Sequence, residues 1–404
     1  MKSLQHSGKS YHLQEFLFVL ALVTKPFYLT SSGSMQPSDF IYMALFGCFL
    51  LSGRIRFPGW KEKQWAAAFA YLIVYQFVIN VIWYFICYFQ DIEDLKMVTR
   101  IIYYIFNLFV CLSVFQMCVA VGYKRLLKLY LLGSALSLAV CYIGVALNWS
   151  GSGRVSGFFN NPNQLGYYAI LMMSVFVIYC RETKKGLTIL LIGLCAILNI
   201  WSLSKAALIG AAVLMVCYAL ISNEGKGVSR TVISVIAVIV VSTLLYLFMF
   251  SDLDIFSNNY YITKVRMRIL NMAGENDSDL GSGRGYGRIL EIGVLVIVGV
   301  GQGAYGRFAA LTGKELHSTY ASILVSYGLI GFFGYGYLFC KAIFSNKKRL
   351  FNLLAMAGIL LYSVSHDGIR SSLLWTLLAM LLLRPHGEED NSPGQLQNPI
   401  GIER

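Results

Sequence analysis

The chain has 404 residues, of which 57% are hydrophobic and 13% charged, and its formal net charge at pH 7 is +13. Apolar runs of membrane-spanning length recur throughout, so the composition excludes an ordinary soluble protein and predicts a polytopic membrane protein. The nine cysteines lie inside apolar segments and have no metal-type spacing with histidine. Neither a disulfide framework nor a cysteine metal site is therefore expected.

The apolar segments predict an all-α integral membrane protein with about twelve transmembrane helices. They lie near 11–30, 39–52, 65–89, 97–122, 126–148, 164–180, 187–203, 205–222, 228–250, 319–344, 350–365 and 370–384. Residues 1–384 are predicted to form a single membrane domain, and 385–404 a short polar cytoplasmic tail. Amides inside the segments are expected to form hydrogen bonds between helices; these are Gln76, Asn80, Asn107, Gln116 and Asn199.

Basic residues fall in alternate loops, which predicts the orientation of the chain. They cluster at 54–63, 124–128, 181–185, 226–230 and 347–349. Those loops are expected in the cytoplasm together with both termini, and the long loop 251–318 then faces outward. Because the excess positive charge is accounted for as an orientation signal, a nucleic-acid partner is not expected.

The long outward loop contains an apolar run, Ile289 to Val300, that is too short to span a membrane. Its twelve residues would reach roughly 18 Å as a helix, against a hydrocarbon core of about 30 Å. It is therefore predicted to be an interfacial or re-entrant helix, which would place Arg284, Arg288 and His317 at one membrane face. An ordinary surface ion pair between Arg288 and Glu291 is the alternative interpretation.

A second outward loop, Asn148 to Tyr168, is rich in glycine and asparagine and contains Arg154 without an acidic residue nearby. Pro162 suits the first turn of the next helix. The amides of Asn160, Asn161 and Asn163 could either cap that helix or bind sugar hydroxyls.

Three further polar residues lie at predicted outward ends of helices. Lys205 sits in a very tight turn and could bind an anion or only anchor to lipid headgroups. His317 precedes an apolar segment, and His366, beside Asp367, is its rival as a site histidine. The Asp-x-Asp pairs at Asp252 and Asp277 are interpreted as solvated loop, so no metal site is predicted.

These motifs in this order resemble the O-antigen polymerase and O-antigen ligase superfamily over residues 150–335. The resemblance rests on Arg154 with the Gly157–Asn163 run, Ser202-Leu203-Ser204-Lys205, Gly287-Arg288, Gly301-x-Gly303, and His317-Ser318 with Gly328 and Gly331. One departure is Lys205, where the family usually has arginine, so paired phosphate hydrogen bonds are replaced by a point charge.

The resemblance implies a metal-independent, cofactor-free glycosyltransferase of the bacterial cytoplasmic (inner) membrane. Its donor would be an undecaprenyl-diphosphate-linked oligosaccharide, and a flippase and a chain-length regulator would be candidate protein partners. Four basic residues, Arg288, Arg284, Arg154 and Lys205, would bind the diphosphate, while Asn160 and Asn163 would contact the substrate. His317 and Arg288 would be the catalytic residues, with His317 as the general base or a diphosphate ligand.

Three functions remain open from the sequence. The leading hypothesis is a polymerase that joins lipid-linked repeat units of a surface polysaccharide such as O-antigen or capsule. A ligase that transfers glycan to lipid A core or another surface acceptor shares the same chemistry. A polysaccharide flippase or exporter is the alternative of another class, although charge in a central path and internal repeats, which it should have, are not seen.

Overall fold

The computed structural model describes residues 11–31, 34–53, 55–90, 96–149, 154–222, 263, 267, 286–287, 289, 292–303, 316–346 and 348–384. Across these ranges the fold is all-helical, without strands. The α-helices are α1 (His12–Val23), α2 (Pro37–Leu51), α3 (Trp60–Tyr88), α4 (Lys96–Thr99), α5 (Ile101–Val121), α6 (Tyr123–Leu147), α7 (Pro162–Ile178), α8 (Lys185–Ser202), α9 (Lys205–Ser222), α10 (Thr319–Ile343), α11 (Arg349–Ser365) and α12 (Ser372–Leu383).

The helices coincide with all the predicted apolar segments except 228–250, which lies outside the described residues. Among the residues that the structure describes, six helical stretches are long and apolar enough to cross a membrane: Trp60–Tyr88, Met97–Val121, Tyr123–Leu147, Lys185–Ser202, Lys205–Ser222 and Thr319–Ile343. The other five, α1, α2, α7, α11 and α12, are apolar but shorter. The total of twelve spans and the long outward loop remain predictions.

The first helix is shorter than predicted, because α1 ends at Val23 and not near residue 30. Lys25 precedes Pro26, and a residue before proline is disfavoured in the helical region because of a clash with the proline ring. The Lys25 side chain is buried and pairs with Asp39 of α2 at 3.1 Å. The chain therefore leaves α1 early and is held against the start of α2 by an ion pair.

Two of the short helices are interior elements. In α7 every residue from Leu165 to Ile178 is buried, and in α12 every residue is buried. A helix that is hydrophobic on all sides is expected in the centre of a large helical protein. Neither helix needs full membrane-spanning length, because each is covered by neighbouring helices.

Glycines allow α9 and α11 to cross closely. A β-carbon on Gly358 would lie 2.7 Å from the carbonyl oxygen of Gly210, closer than ordinary contacts permit. Small residues at such crossings let helix backbones approach one another. This crossing fixes α11, which leads to His366, against α9, which begins at Lys205.

Helix α10 is broken at Gly328, whose φ of 65° and ψ of −165° lie outside the helical region. The break frees backbone groups that the segment 297–301 binds. Val300 N–H donates to Val325 O at 2.9 Å, and Gly301 N–H donates to Ser326 O at 2.8 Å. Non-helical backbone at membrane depth is tolerated only where protein or water satisfies it, and here the protein does so.

The structure corrects the prediction of a helix from Ile289 to Val300. From Ile292 onward the segment contains only a 3-10 turn, Gly293–Val296, followed by a turn and non-helical backbone. Gly293 and Gly299 have φ values of 52° and 86°, which interrupt a right-handed helix. Its last residues instead serve as the partner of the α10 break.

The predicted contacts between helices form for two of the five amides, since Gln76 and Asn80 of α3 both bond to tyrosines of α10. Gln76 Nε2 donates to Tyr335 Oη at 2.8 Å, and Asn80 Oδ1 accepts from Gln302 N–H at 2.9 Å. Asn107 and Gln116 bond instead to backbone that lies between helices, since Asn107 Nδ2 donates to the Arg370 carbonyl and Gln116 bonds the backbone of Arg56 between α2 and α3. Asn199 differs, because its Nδ2 donates within α8 to Cys195 O.

Candidate functional site

The start of α7 is built as the local sequence predicts. Asn161 is the N-cap, its Oδ1 accepting from Gln164 N–H at 3.0 Å, and Pro162 occupies the first turn. Asn160 is exposed and its Nδ2 donates to Thr30 O at 2.8 Å. Of the three amides, Asn161 therefore takes the capping role, and Asn160 joins this loop to the loop between α1 and α2.

Arg154 is held by two neutral oxygens from separate parts of the chain. Its Nε donates to Ser202 O at 3.0 Å, at the end of α8, and its Nη2 donates to Asn163 Oδ1 at 2.6 Å, at the start of α7. These bonds fix the plane of a guanidinium, the group best suited to paired phosphate hydrogen bonds. Asn163 thus acts as a positioning residue for Arg154.

Lys205 lies only three positions after Ser202, whose carbonyl oxygen accepts from Arg154. Helix α8 ends at Ser202, Leu203 adopts the left-handed region with φ 49°, and α9 begins at Lys205. A bulky residue with positive φ is a strained arrangement that persists only when its surroundings enforce it. The predicted tight turn is therefore present, and it places Lys205 and Arg154 in one neighbourhood.

Tyr362, near the end of α11, joins the arginine to His366. Its hydroxyl donates to Asn163 O at 2.9 Å, and its ring stacks on the His366 imidazole with centroids 4.5 Å apart. Tyr167 of α7 also stacks on the Tyr362 ring, with the ring centroids 4.8 Å apart. His366, the rival site histidine of the sequence prediction, is thus connected to Arg154 through Tyr362 and Asn163.

The segment that carries His317 runs beside the segment that carries His366. Thr319 N–H donates to His366 O at 3.2 Å, and Gly368 N–H donates to Thr319 Oγ1 at 3.1 Å. His317 itself is exposed and makes no hydrogen bond through its ring to a described residue. Both candidate histidines therefore lie at the end of the bundle where α7, α9 and α10 begin. We call this the cluster end, and Arg154, Asn163, Lys205, His317 and His366 the polar cluster.

The long loop reaches the polar cluster through Tyr286. Its hydroxyl donates to Val364 O at 2.8 Å and accepts from Ser318 Oγ, also at 2.8 Å. Ser318 directly follows His317 in the chain. Arg284 and Arg288, which flank Tyr286 in the sequence, lie outside the described residues.

Lys25 also lies at the cluster end, but its ammonium group is already paired with a carboxylate. Burial works to lower the pKa of Lys25, yet the adjacent Asp39 carboxylate and Tyr28 outweigh it, so the pKa is raised. Its ammonium is committed to Asp39 at 3.1 Å. Lys25 is therefore a structural ion-pair partner and not a cation for an external anion.

The polar cluster combines cations with imidazoles. Two basic side chains at neighbouring turns can bind an anion such as a diphosphate, and an imidazole can take a proton from an attacking hydroxyl. Among the described residues, no group of three or more His, Cys, Asp and Glu is placed to hold a metal.

The sequence did not single out Tyr362, Tyr167 or Thr319. Thr319 lies next to the His317-Ser318 motif, which was the available signal for it. The two tyrosines sit in apolar helical runs, where an aromatic residue normally indicates only a buried face.

No family model matches this chain, and no curated protein matches it. Within the described residues, the fold and the site define an all-helical bundle with six apolar helices able to cross a membrane and a cluster of basic and histidine residues at one end.

Proposed function

We propose that the protein is a polymerase of bacterial surface polysaccharide, of the O-antigen or capsule type, in the cytoplasmic membrane. The observation that carries the proposal is the joining of Arg154, through Asn163 and Tyr362, to the paired segments of His317 and His366. Of these residues, Arg154, Asn163 and His317 also belong to the motifs that resemble O-antigen polymerases and ligases. Contacts between residues far apart in the chain support their acting as one site.

The substrate chemistry fits such a site. A sugar linked to a lipid diphosphate carries its own leaving group, so the bond from the anomeric carbon to the phosphate oxygen can break without a metal. The protein then stabilises the negative charge that develops on the diphosphate, as Arg154 and Lys205 would do. Arg284 and Arg288 are proposed to join them, supported by the contact of Tyr286 with Ser318.

The acceptor hydroxyl of a second lipid-linked unit attacks the anomeric carbon and loses a proton. His317 is proposed as the base, because its exposed imidazole is open to a large substrate and an imidazole can accept the proton of an attacking hydroxyl. His366, packed on Tyr362, is proposed to orient the site. The position of Asn160 at the loop surface suits contact with the glycan.

Reconstitution with one substrate tests the proposal. Purified protein in liposomes, given only a single lipid-diphosphate repeat unit, should produce a ladder of longer lipid-linked chains, and should do so with a metal chelator present. Product only after addition of a core-lipid acceptor would replace polymerase by ligase. Movement of labelled lipid across the bilayer without new glycosidic bonds would favour a flippase.

Matched arginine variants test the assignment of the site. Arg154→Lys keeps one charge but loses the guanidinium fork, so chain extension should fall at least about tenfold. Arg125→Lys is the control, since Arg125 pairs with Glu15 at the opposite end of the bundle. Equal activity of both variants at equal expression would contradict the role of Arg154.

A further inference from the structure

A groove of about 430 Å³ lies at the end of the bundle opposite the polar cluster. It is lined by Lys61 at the start of α3, by the end of α10 with the two residues that follow it, and by Leu382 of α12. The α10 side contributes Tyr337, Cys340, Lys341 and Phe344. The groove is thus a slot between three helices with two ammonium groups at an apolar wall.

The charges around the groove leave it positive. Lys61 Nζ lies 3.6 Å from Glu62 Oε1, and the Glu62 side chain is only 3% exposed, so this pair is nearly neutral. Lys341 has no ion pair with a residue in the described ranges. It lies in the last turn of α10, where the helix dipole favours a cation.

Exposed aromatic residues surround the groove. Trp60, beside Lys61, is 68% exposed, and Tyr337 and Phe344 are 46% and 40% exposed. Exposed aromatic side chains of this kind gather at membrane–water boundaries. Basic pockets between membrane helices near that boundary suit anionic lipid headgroups.

We propose that this groove binds one anionic phospholipid. The headgroup phosphate contacts Lys341 and Lys61, and an acyl chain lies against Phe344, Leu382 and Tyr337. The site is separate from the polar cluster and does not depend on the proposed glycosyltransferase function. Glu62 limits the affinity, because its carboxylate shares the charge of Lys61.

Lipid-retention measurements test this site with a matched lysine control. Native mass spectrometry of the purified protein should find more phosphatidylglycerol retained than phosphatidylcholine. Lys341→Gln should lower phosphatidylglycerol affinity about fivefold, the change expected for one basic residue near an anionic headgroup. Lys63→Gln should leave it unchanged, because Lys63 lies over the Trp60 ring and does not line the groove.

Glu62→Gln gives a prediction of opposite sign. Removal of the carboxylate frees Lys61 for the phosphate, so phosphatidylglycerol affinity should rise. Equal retention of the two lipids, or equal losses in the Lys341 and Lys63 variants, would overturn the proposal, since either result indicates nonspecific lipid or general surface charge.

Cys340 reports on the same groove directly, because it is exposed and forms part of the lining. Phosphatidylglycerol should slow its alkylation by a maleimide, followed at that peptide by mass spectrometry, and phosphatidylcholine should slow it less. Glycerol phosphate without acyl chains should give no protection. Protection by glycerol phosphate equal to that by the lipid would identify a small-anion site instead and overturn the phospholipid assignment.

Discussion

Lys25 and Asp39 form a buried ion pair at the point where α1 gives way to the loop before α2. Asp39→Asn would keep the oxygen that accepts from Gln36 N–H but remove the charge, leaving a buried ammonium uncompensated. We expect a loss of about 3 kcal/mol in the free energy of unfolding, measured by thermal denaturation in detergent.

The double variant Lys25→Met with Asp39→Asn is the control, and it should recover much of that loss because no unpaired charge remains. A double variant as unstable as Asp39→Asn would show that the charge pair itself is not responsible. The pH dependence has a definite sign, because the pKa of Lys25 is raised. The stabilisation is complete below the ordinary lysine pKa of about 10.4 and is lost as pH rises through the higher folded-state pKa.

At the cluster end, the sequence predicted contacts between residues that are neighbours in the chain. It did not predict contacts between residues on separate helices. Asn161 and Pro162 follow the rules for the start of a helix, which depend on neighbours in the chain. The bonds of Arg154 to Asn163 and Ser202 require α7 and the end of α8 to meet. The sequence predicted Arg154 and Asn163 as separate substrate contacts and gave no signal for the hydrogen bond between them.

At the scale of elements, the break in α10 provides the sharpest test. Gly328 has φ 65°, and a β-carbon there would overlap the carbonyl of Ile297. Gly328→Ala should lower the free energy of unfolding by more than about 2 kcal/mol, since the left-handed backbone and the overlap both oppose alanine. Gly336→Ala in the same helix should be neutral or slightly stabilising, because a β-carbon there meets nothing within 4 Å.

Thermal denaturation of the two alanine variants, purified side by side, compares these effects. Equal melting temperatures would mean that the break does not constrain α10. The apolar pattern of α10 is continuous across residue 328, so the sequence predicted one uninterrupted helix there. The run from Ile289 to Val300 is also continuously apolar, and the sequence therefore predicted a helix there. In the structure its glycines have positive φ, and its last residues bind the broken part of α10.

For the whole molecule, the predicted orientation in the membrane can be tested at the two loops that flank α2. Ser31 and Ser52 are both exposed and flank α2 at opposite ends. In a cysteine-free background, Ser31→Cys should react with an impermeant thiol reagent in intact cells, and Ser52→Cys only after permeabilisation. The reverse pattern would place the polar cluster in the cytoplasm, away from the lipid-linked glycan proposed as substrate.

The alternation of basic loops predicted which loops share a side, and the contacts between loops agree with it. Tyr28 N–H donates to Phe158 O at 3.2 Å, and Val155 N–H donates to Trp201 O at 3.1 Å, so the segment after α1, the loop before α7 and the end of α8 meet. Helix lengths were harder to predict, because α7 and α12 are buried by neighbours and have no need of a full span.

The contact between Gly301 and the α10 break also has a consequence for biosynthesis. Asn80 and Trp83, which bind this segment from α3, are synthesised long before it, but Val325 and Ser326 follow it in the chain. While the ribosome is still making α10, the N–H groups of Val300 and Gly301 have no carbonyl partners there. We therefore expect the segment to reach its final position late, after α10 has been synthesised. Chains truncated before residue 325 should leave it open to protease although α3 is already inserted.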